Sequence, residues 1–274
     1  MKGITTKNKK SIKNICIFIF WVLIWQITHV IIGRDIYVPS PFNVFLSLRQ
    51  LVLQPYFWRS ITFSIYRVLS GLAWSILLGI TIGIISAMNE HVHDIINPLI
   101  IVIKSTPVIS FIILAVIWLS SSNVPIFICF LLCFPIIWTN VVTGIRNVDI
   151  KLLEMAKMYG IKRLTVIRKI YLPSIIPYVS AACLTAVGLG WKASVAAEVL
   201  SLPRNGIGSY VHSAKVYLDT NELFAWTSVV IILSVVFEIM LNKLIKKSTS
   251  NGFCTVNNSY KRDDYSEATS KESA

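Results

Sequence analysis

VLSGLAWSILLGITIGIISAM, residues 68–88, runs for 21 positions without an Asp, Glu, Lys, Arg or His. Coiled as an α-helix at about 1.5 Å per residue, it reaches across the roughly 30 Å hydrocarbon core of a bilayer. The same pattern repeats along the chain. Apolar windows occupy residues 15–32, 100–119 and 124–142, another begins near Ile175, and a last covers 224–241. They are continuously apolar, whereas strands of a membrane barrel alternate over about ten residues, so spanning helices are expected. Composition agrees: 55% of residues are hydrophobic and 14% charged, and the mean hydropathy is +0.68, far from the balance of a soluble domain. The expected fold class is all-α, a polytopic membrane protein with about six transmembrane helices.

Within the quoted stretch, Gly71, Ser75, Gly79, Gly83 and Ala87 recur at every fourth position and line one narrow stripe. Where lipid removes the hydrophobic drive between helices, such a stripe permits close approach, either inside one bundle or between subunits. Cysteines stand at 16, 129, 133, 183 and 254, four of them in apolar windows. They have neither metal-type spacing nor a disulfide framework and read as small packing residues.

Charge sets the expected orientation, because Lys and Arg are retained on the cytoplasmic side. Residues 1–14 form a basic terminus with Lys2, Lys7, Lys9, Lys10 and Lys13 and no acid. An even number of crossings puts both termini and the connection between the fourth and fifth windows on that side. That connection holds Arg146, Lys151, Lys157, Lys162, Arg163, Arg168 and Lys169, and Lys243, Lys246 and Lys247 follow the last window. The other side keeps Arg34, Arg49, Arg59, Arg67, Arg204 and Lys215 over two longer segments. This bias explains most of the net charge of +13, and nothing in it calls for nucleic acid. The window at 15–32 is longer than a signal-peptide core, and Gly33-Arg34-Asp35 offers no small-x-small cleavage pattern, so it reads as a retained anchor.

Residues 33–62 form the expected external segment. Tyr37-Val38-Pro39-Ser40-Pro41 is extended and then starts a helix, with Ser40 as N-cap, Pro41 at the first helical position and an amphipathic run to about Leu53. Residues 63–247 would be the transmembrane domain proper. The polar tail, residues 248–274, lacks the apolar content to fold.

Residues 148–173 are too polar to cross a membrane and too patterned for a slack loop. Leu152, Leu153, Met155, Ala156 and Tyr159 make an apolar helix face, Gly160 interrupts it, and Leu164, Val166, Ile167, Ile170 and Tyr171 resume one. Gly160 permits a backbone conformation closed to other residues, so two short helices meet there at an angle. Pro173 fits the first turn of the fifth membrane helix. An amphipathic helix with flanking charge suits a groove on a soluble partner, or the lipid surface.

Three charged groups fall inside or near spans. Lys192 in the fifth helix is a candidate for a solute path, since an intramembrane cation attracts anions, or it snorkels to the outer interface. Glu198, six residues on, lies about 240° around the helix and is not on the same face. Lys104, one turn into the third window, reads as snorkelling. His91, His93 and Asp94 offer too few ligands for a closed metal site and read as a solvated turn.

Glu154-Met155-Ala156, then Gly160, Ile170 and Leu172-Pro173, matches the spacing of the EAA motif of ABC importer permeases. The resemblance covers about residues 38–247 and is closest to the nitrate, taurine and aliphatic sulfonate permeases. It is supported by Val38-Pro39-Ser40-Pro41, Arg67-Val68-Leu69-Ser70-Gly71, Gly144-Ile145-Arg146-Asn147-Val148-Asp149, Ala197-Glu198 and Gly206-Ile207-Gly208. Met155 departs from the motif's middle Ala, and Leu119-Ser120 stands where many relatives carry Phe-Gly.

The resemblance implies the MetI-like architecture of type I ABC importers and a bacterial plasma (inner) membrane location. It implies that residues 148–173 seat on a cytoplasmic ATPase, with Glu154 in polar contact, Ala156 allowing close approach, Gly160 setting the bend and Ile170, Leu172 and Pro173 completing the coupling set. The implied partners are two ATPase subunits holding ATP and Mg, an external substrate-binding protein, a second copy of this chain and membrane lipid. No catalytic residue, cofactor or metal is assigned to the chain itself, which has no GxxxxGK[ST] phosphate loop. A passive channel or carrier, and an intramembrane enzyme, are the rival readings.

Overall fold

A computed structural model describes residues 3–243, and every regular element among them is helical. The polar tail expected at 248–274 lies outside the described residues. Helix α1 (Gly3–Ile32) takes in both the basic segment and the first apolar window. Helix α2 (Pro41–Val52) opens as its sequence dictates: Ser40 is extended and its hydroxyl accepts from the Asn43 N–H at 3.1 Å, with Pro41 where no donor is needed. The chain entering α2 is pinned to α1 by Trp25 Nε1 donating to the Pro39 carbonyl at 3.1 Å and His29 Nδ1 donating to that of Val38 at 2.8 Å.

Helix α3 (Pro55–Met88) contains the quoted stretch. Then follow α4 (Glu90–Ser105), α5 (Val108–Trp118), α6 (Val124–Arg146) and α7 (Ile150–Met158). Helix α8 (Leu164–Ser201), α9 (Ile207–Val216) and α10 (Thr220–Lys243) complete the order. Four helices, α3, α6, α8 and α10, are long and apolar enough to cross a membrane. The bent pair α4 and α5 passes the same test only when its two helices are taken together, as a broken span or a re-entrant loop, and Ile19–Ile32 is a shorter apolar helix at the first window.

Three local expectations are corrected. The third window is not one helix: α4 and α5 meet at 104°, because Pro107 cannot donate and holds Thr106 extended (φ −82°, ψ 135°). The fifth span does not begin near Ile175 but runs unbroken from Leu164 for 38 residues. His91, His93 and Asp94 do not form a turn. They occupy the first turns of α4, where the Asn89 side chain accepts from the His91 N–H at 3.0 Å and the His93 ring stacks on Trp138.

The chain divides into two compact units, residues 1–67, 112–125 and 194–232 forming one and the remainder the other. The first is cored by buried Phe57, Ile112, Val124, Ile207 and Trp226, with Tyr56, Tyr210 and Trp226 in a continuous ring stack. The second is built on Ile100, Phe134, Trp138 and Val142, against which Leu78 and Ile82 pack. Here the small-residue stripe of α3 faces α6. A Cβ at Gly71 would stand 2.6 Å from the Ile126 carbonyl, at Gly79 2.8 Å from Ile137 Cγ2, and at Gly83 2.8 Å from Val141 Cγ1. Ser75, the one polar member among these, donates its hydroxyl to the Gly71 and Phe130 carbonyls at 2.8 and 3.1 Å. Cys129 and Cys133 are wholly buried packing residues, Cys133 Sγ lying 2.7 Å from where a Cβ on Gly190 would be.

Candidate functional site

The motif segment forms an elbow. The Asp149 side chain caps α7 by accepting from the Lys151 N–H at 2.9 Å. At the other end Gly160 takes φ +62°, and its N–H donates to the Lys157 carbonyl while that of Ile161 reaches back to Ala156 at 3.0 Å. This is a Schellman closure, which requires the left-handed conformation that glycine adopts without cost. Ala156 is buried, and an open cleft of about 350 Å³ beside it is lined by Met88, Leu153, Lys157, Ile161 and Tyr171 among others. Met158, Tyr159 and Leu164 project at 80% exposure or more, and Glu154 is also exposed. The elbow therefore presents an apolar ridge with a carboxylate one turn away.

Helix α8 leaves the elbow through a π turn, Ile167–Tyr171, in which the Leu172 N–H reaches the Ile167 carbonyl five residues back. The wider turn has a local cause: the ring of Pro173 would crowd the carbonyl four residues earlier, and one extra residue per turn relieves it. Ile170 is half-buried, Leu172 and Pro173 are exposed, and the Ser174 hydroxyl satisfies the Ile170 carbonyl at 2.7 Å.

Further along α8, Ala181, Thr185, Gly188 and Lys192 fall within an arc of about 60° at 100° per residue. Three of them are exposed and Gly188 is half-buried. A Cβ built on Gly188 would meet nothing within 4 Å, so this glycine is not explained by packing within the chain. Helix α6 has a comparable face: Thr139, Asn140 and Thr143 fall within about 100°, and none is buried. Small and polar unburied faces on membrane helices suit a water-filled path and not lipid.

Lys192 lies on the α8 face, nine residues before Ser201, or about 13 Å in from that end. Among the described residues no carboxylate comes within 4.0 Å of it. Glu198 is placed quite differently. Its carboxylate is wholly buried, 2.8 Å from Arg67 Nη1, and accepts from the Ser64 hydroxyl at 2.8 Å and the Gly208 N–H at 3.0 Å. Arg67 also donates to the Asn205 carbonyl, and Ser64 accepts from the Ile207 N–H at 3.0 Å. The opening N–H groups of α9 are thus capped by α3 and α8 side chains, and the positive end of the α9 dipole adds to the field at Glu198.

Two charged groups escaped the reading of the sequence. Arg67 was counted as a flanking charge but sits inside α3 at 4% side-chain exposure, a position signalled only by apolar residues on both sides. Glu238 is an exposed acid inside α10, the single carboxylate of the last apolar window. No group of three or more His, Cys, Asp or Glu able to hold a metal occurs among the described residues.

The chain is 25% identical over 231 residues to the taurine transport system permease protein TauC of Escherichia coli, covering 82% of this chain and 84% of that protein. It is 28% identical over 211 residues to the nitrate import permease protein NrtB of Synechococcus elongatus, covering 73% and 75%. Its fold is that of a type I ABC importer permease: a chain of the inward-facing MetNI methionine ABC transporter superposes with a TM-score of 0.60 at 13% identity, over 70% of this chain and 95% of that one. Such a subunit transports, and ATP hydrolysis resides on a separate one. Residues 79–249, more than half the chain, match the model for the binding-protein-dependent transport system inner membrane component, and it is to that family of ABC permeases that this protein belongs.

Proposed function

We propose that two copies of this chain form the membrane path of an importer for a small oxyanion, sulfonate or nitrate in type, and that residues 148–173 couple that path to a pair of cytoplasmic ATPase subunits holding ATP and Mg. An external binding protein delivers the solute, and both termini face the cytoplasm.

The observation that carries this reading is continuity: the exposed ridge ends on Leu164, and Leu164 opens the same 38-residue helix that bears Lys192. Movement of the elbow is thereby movement of the path face about 42 Å along the helix. Glu154 and the Met158–Tyr159–Leu164 ridge make the ATPase contact, the buried Ala156 lets α7 seat closely on its own chain, and Gly160 with Ile170, Leu172 and Pro173 holds the elbow's angle. Lys192 faces the solute. Glu198 contributes by fixing α9.

The test is reconstitution of the chain with its ATPase in proteoliposomes. ATP hydrolysis stimulated by solute-loaded binding protein, and lost with Met158→Glu together with ATPase co-purification, is expected. Downhill flux with no ATPase present would replace this reading with a channel, and turnover by the isolated chain would replace it with an enzyme.

A further inference from the structure

The break between α4 and α5 has a use the coupling account leaves over. We propose that Lys104 and Thr139 form a second oxyanion-binding station on the solute path, distinct from Lys192; the inference rests on the importer reading and adds a site to it.

The break falls at Lys104-Ser105-Thr106-Pro107, a polar run between two apolar helices. A snorkelling lysine extends away from its neighbours toward the interface, but Lys104 does not. Its ammonium donates to Thr139 Oγ1 on α6 at 2.8 Å. The Thr139 hydroxyl gives its own proton to the Pro135 carbonyl at 2.7 Å, so its oxygen is held as an acceptor and fixes the ammonium. Two of the three ammonium N–H groups remain for another ligand, and no carboxylate among the described residues lies within 4.0 Å of it.

The surroundings favour an anion. The Ser105 and Thr106 hydroxyls donate to the Val102 carbonyl at 3.2 and 2.7 Å, which neutralises the negative end of α4. The same break opens at the start of α5, where the Ser110 N–H donates to the Pro107 carbonyl at 3.0 Å and the helix dipole is positive. Lys104 is exposed and Thr139 half-buried, and Thr139 shares its face of α6 with the exposed Thr143. A compact oxyanion is the ligand such a cation takes: sulfonate, nitrate or carboxylate.

Helix α6 serves as a ruler for the two stations. Gly144 packs on Tyr178 and Gly190 on Cys133, so α6 and α8 run antiparallel; Lys192, two residues past Gly190, lies on the side of Cys133 away from Thr139, and the two stations are offset by about 12 Å along the axis. Two weak cationic sites roughly 12 Å apart along the helix axis let an anion be held and released in steps, which conduction requires.

The experiment is uptake of radiolabelled taurine, methanesulfonate and nitrate by proteoliposomes of the full permease–ATPase complex with its binding protein. Lys104→Cys is expected to cut uptake about tenfold, the size of one charge-assisted hydrogen bond, and Lys104→Arg to retain most of it. Treating the Cys variant with aminoethyl methanethiosulfonate, which restores a cation, should recover uptake. The neutral methyl reagent should not. Intact mass reads labelling, and unmodified wild type takes the same reagents as a control. Recovery by both reagents, or by neither once labelled, overturns the station. So does wild-type uptake in Lys104→Cys. If wild type moves none of the three probes while its complex hydrolyses ATP in response to the binding protein, the oxyanion assignment falls and the importer reading stands.

Discussion

Arg67 Nη1 lies 2.8 Å from Glu198 Oε1, and neither side chain is more than 4% exposed. Removing one partner would strand the other charge without water. Glu198→Gln keeps the shape and the Gly208 contact but leaves Arg67 unpaired, and Arg67→Met strands Glu198. Each single change is expected to cost about 3–5 kcal/mol of stability, measured by denaturant titration of the purified permease in detergent. The double variant should recover a large part of that. Single losses that simply add in the double would show that the two charges do not compensate each other.

Gly206 and Gly208 make room for that pair. A Cβ at Gly208 would stand 2.5 Å from Glu198 Cβ and 2.7 Å from the Val195 carbonyl, and one at Gly206 2.9 Å from Glu198 Oε2. The obstacles at Gly208 are backbone and a Cβ, which cannot swing away, whereas at Gly206 the obstacle is the end of a side chain. Gly208→Ala should therefore be the more damaging, by about 1–3 kcal/mol. Equal melting temperatures for the two alanine variants would contradict this ranking.

These residues also show how far the sequence could be read. The apolar windows, the Ser40 cap and the Gly160 bend were legible because each rests on local rules: hydrophobic run length, a capping side chain and a left-handed φ. The helix break at Pro107 obeys a local rule too, but it was hidden by the apolar residues around it, since hydropathy counts side chains and not missing N–H groups. The Arg67–Glu198 pair was illegible for a different reason. Its partners are 131 residues apart, and no periodicity within either helix points at the other. Gly206 and Gly208 enter the sequence reading only through the family resemblance, which does not say what they pack against.

Gly160 offers a test of the elbow separate from packing. Its φ is +62° and an added Cβ would meet nothing within 4 Å, so a substitution meets backbone strain alone. Asn tolerates the left-handed region, whereas a β-branched residue is resisted by about 1–2 kcal/mol or more. Gly160→Val should let ATP hydrolysis continue while uptake collapses, and Gly160→Asn should retain most uptake. Matching uptake in wild type and the Val variant would remove the bend from the coupling account.

Gly79 and Gly188 separate the two uses of glycine in this fold. A Cβ at Gly79 runs into Ile137 at 2.8 Å, whereas one at Gly188 enters open space. Gly79→Leu should thus lower stability by about 1–3 kcal/mol through forced separation of α3 and α6. Gly188→Leu should leave the denaturation midpoint of the protomer unchanged and yet reduce solute uptake, because it adds bulk to the face that carries Thr185 and Lys192. Loss of stability in Gly188→Leu equal to that in Gly79→Leu would place this face against protein and not along a path. Full uptake with unchanged stability would place it against lipid. Only the combination of intact folding and impaired uptake is consistent with a path that runs along α8.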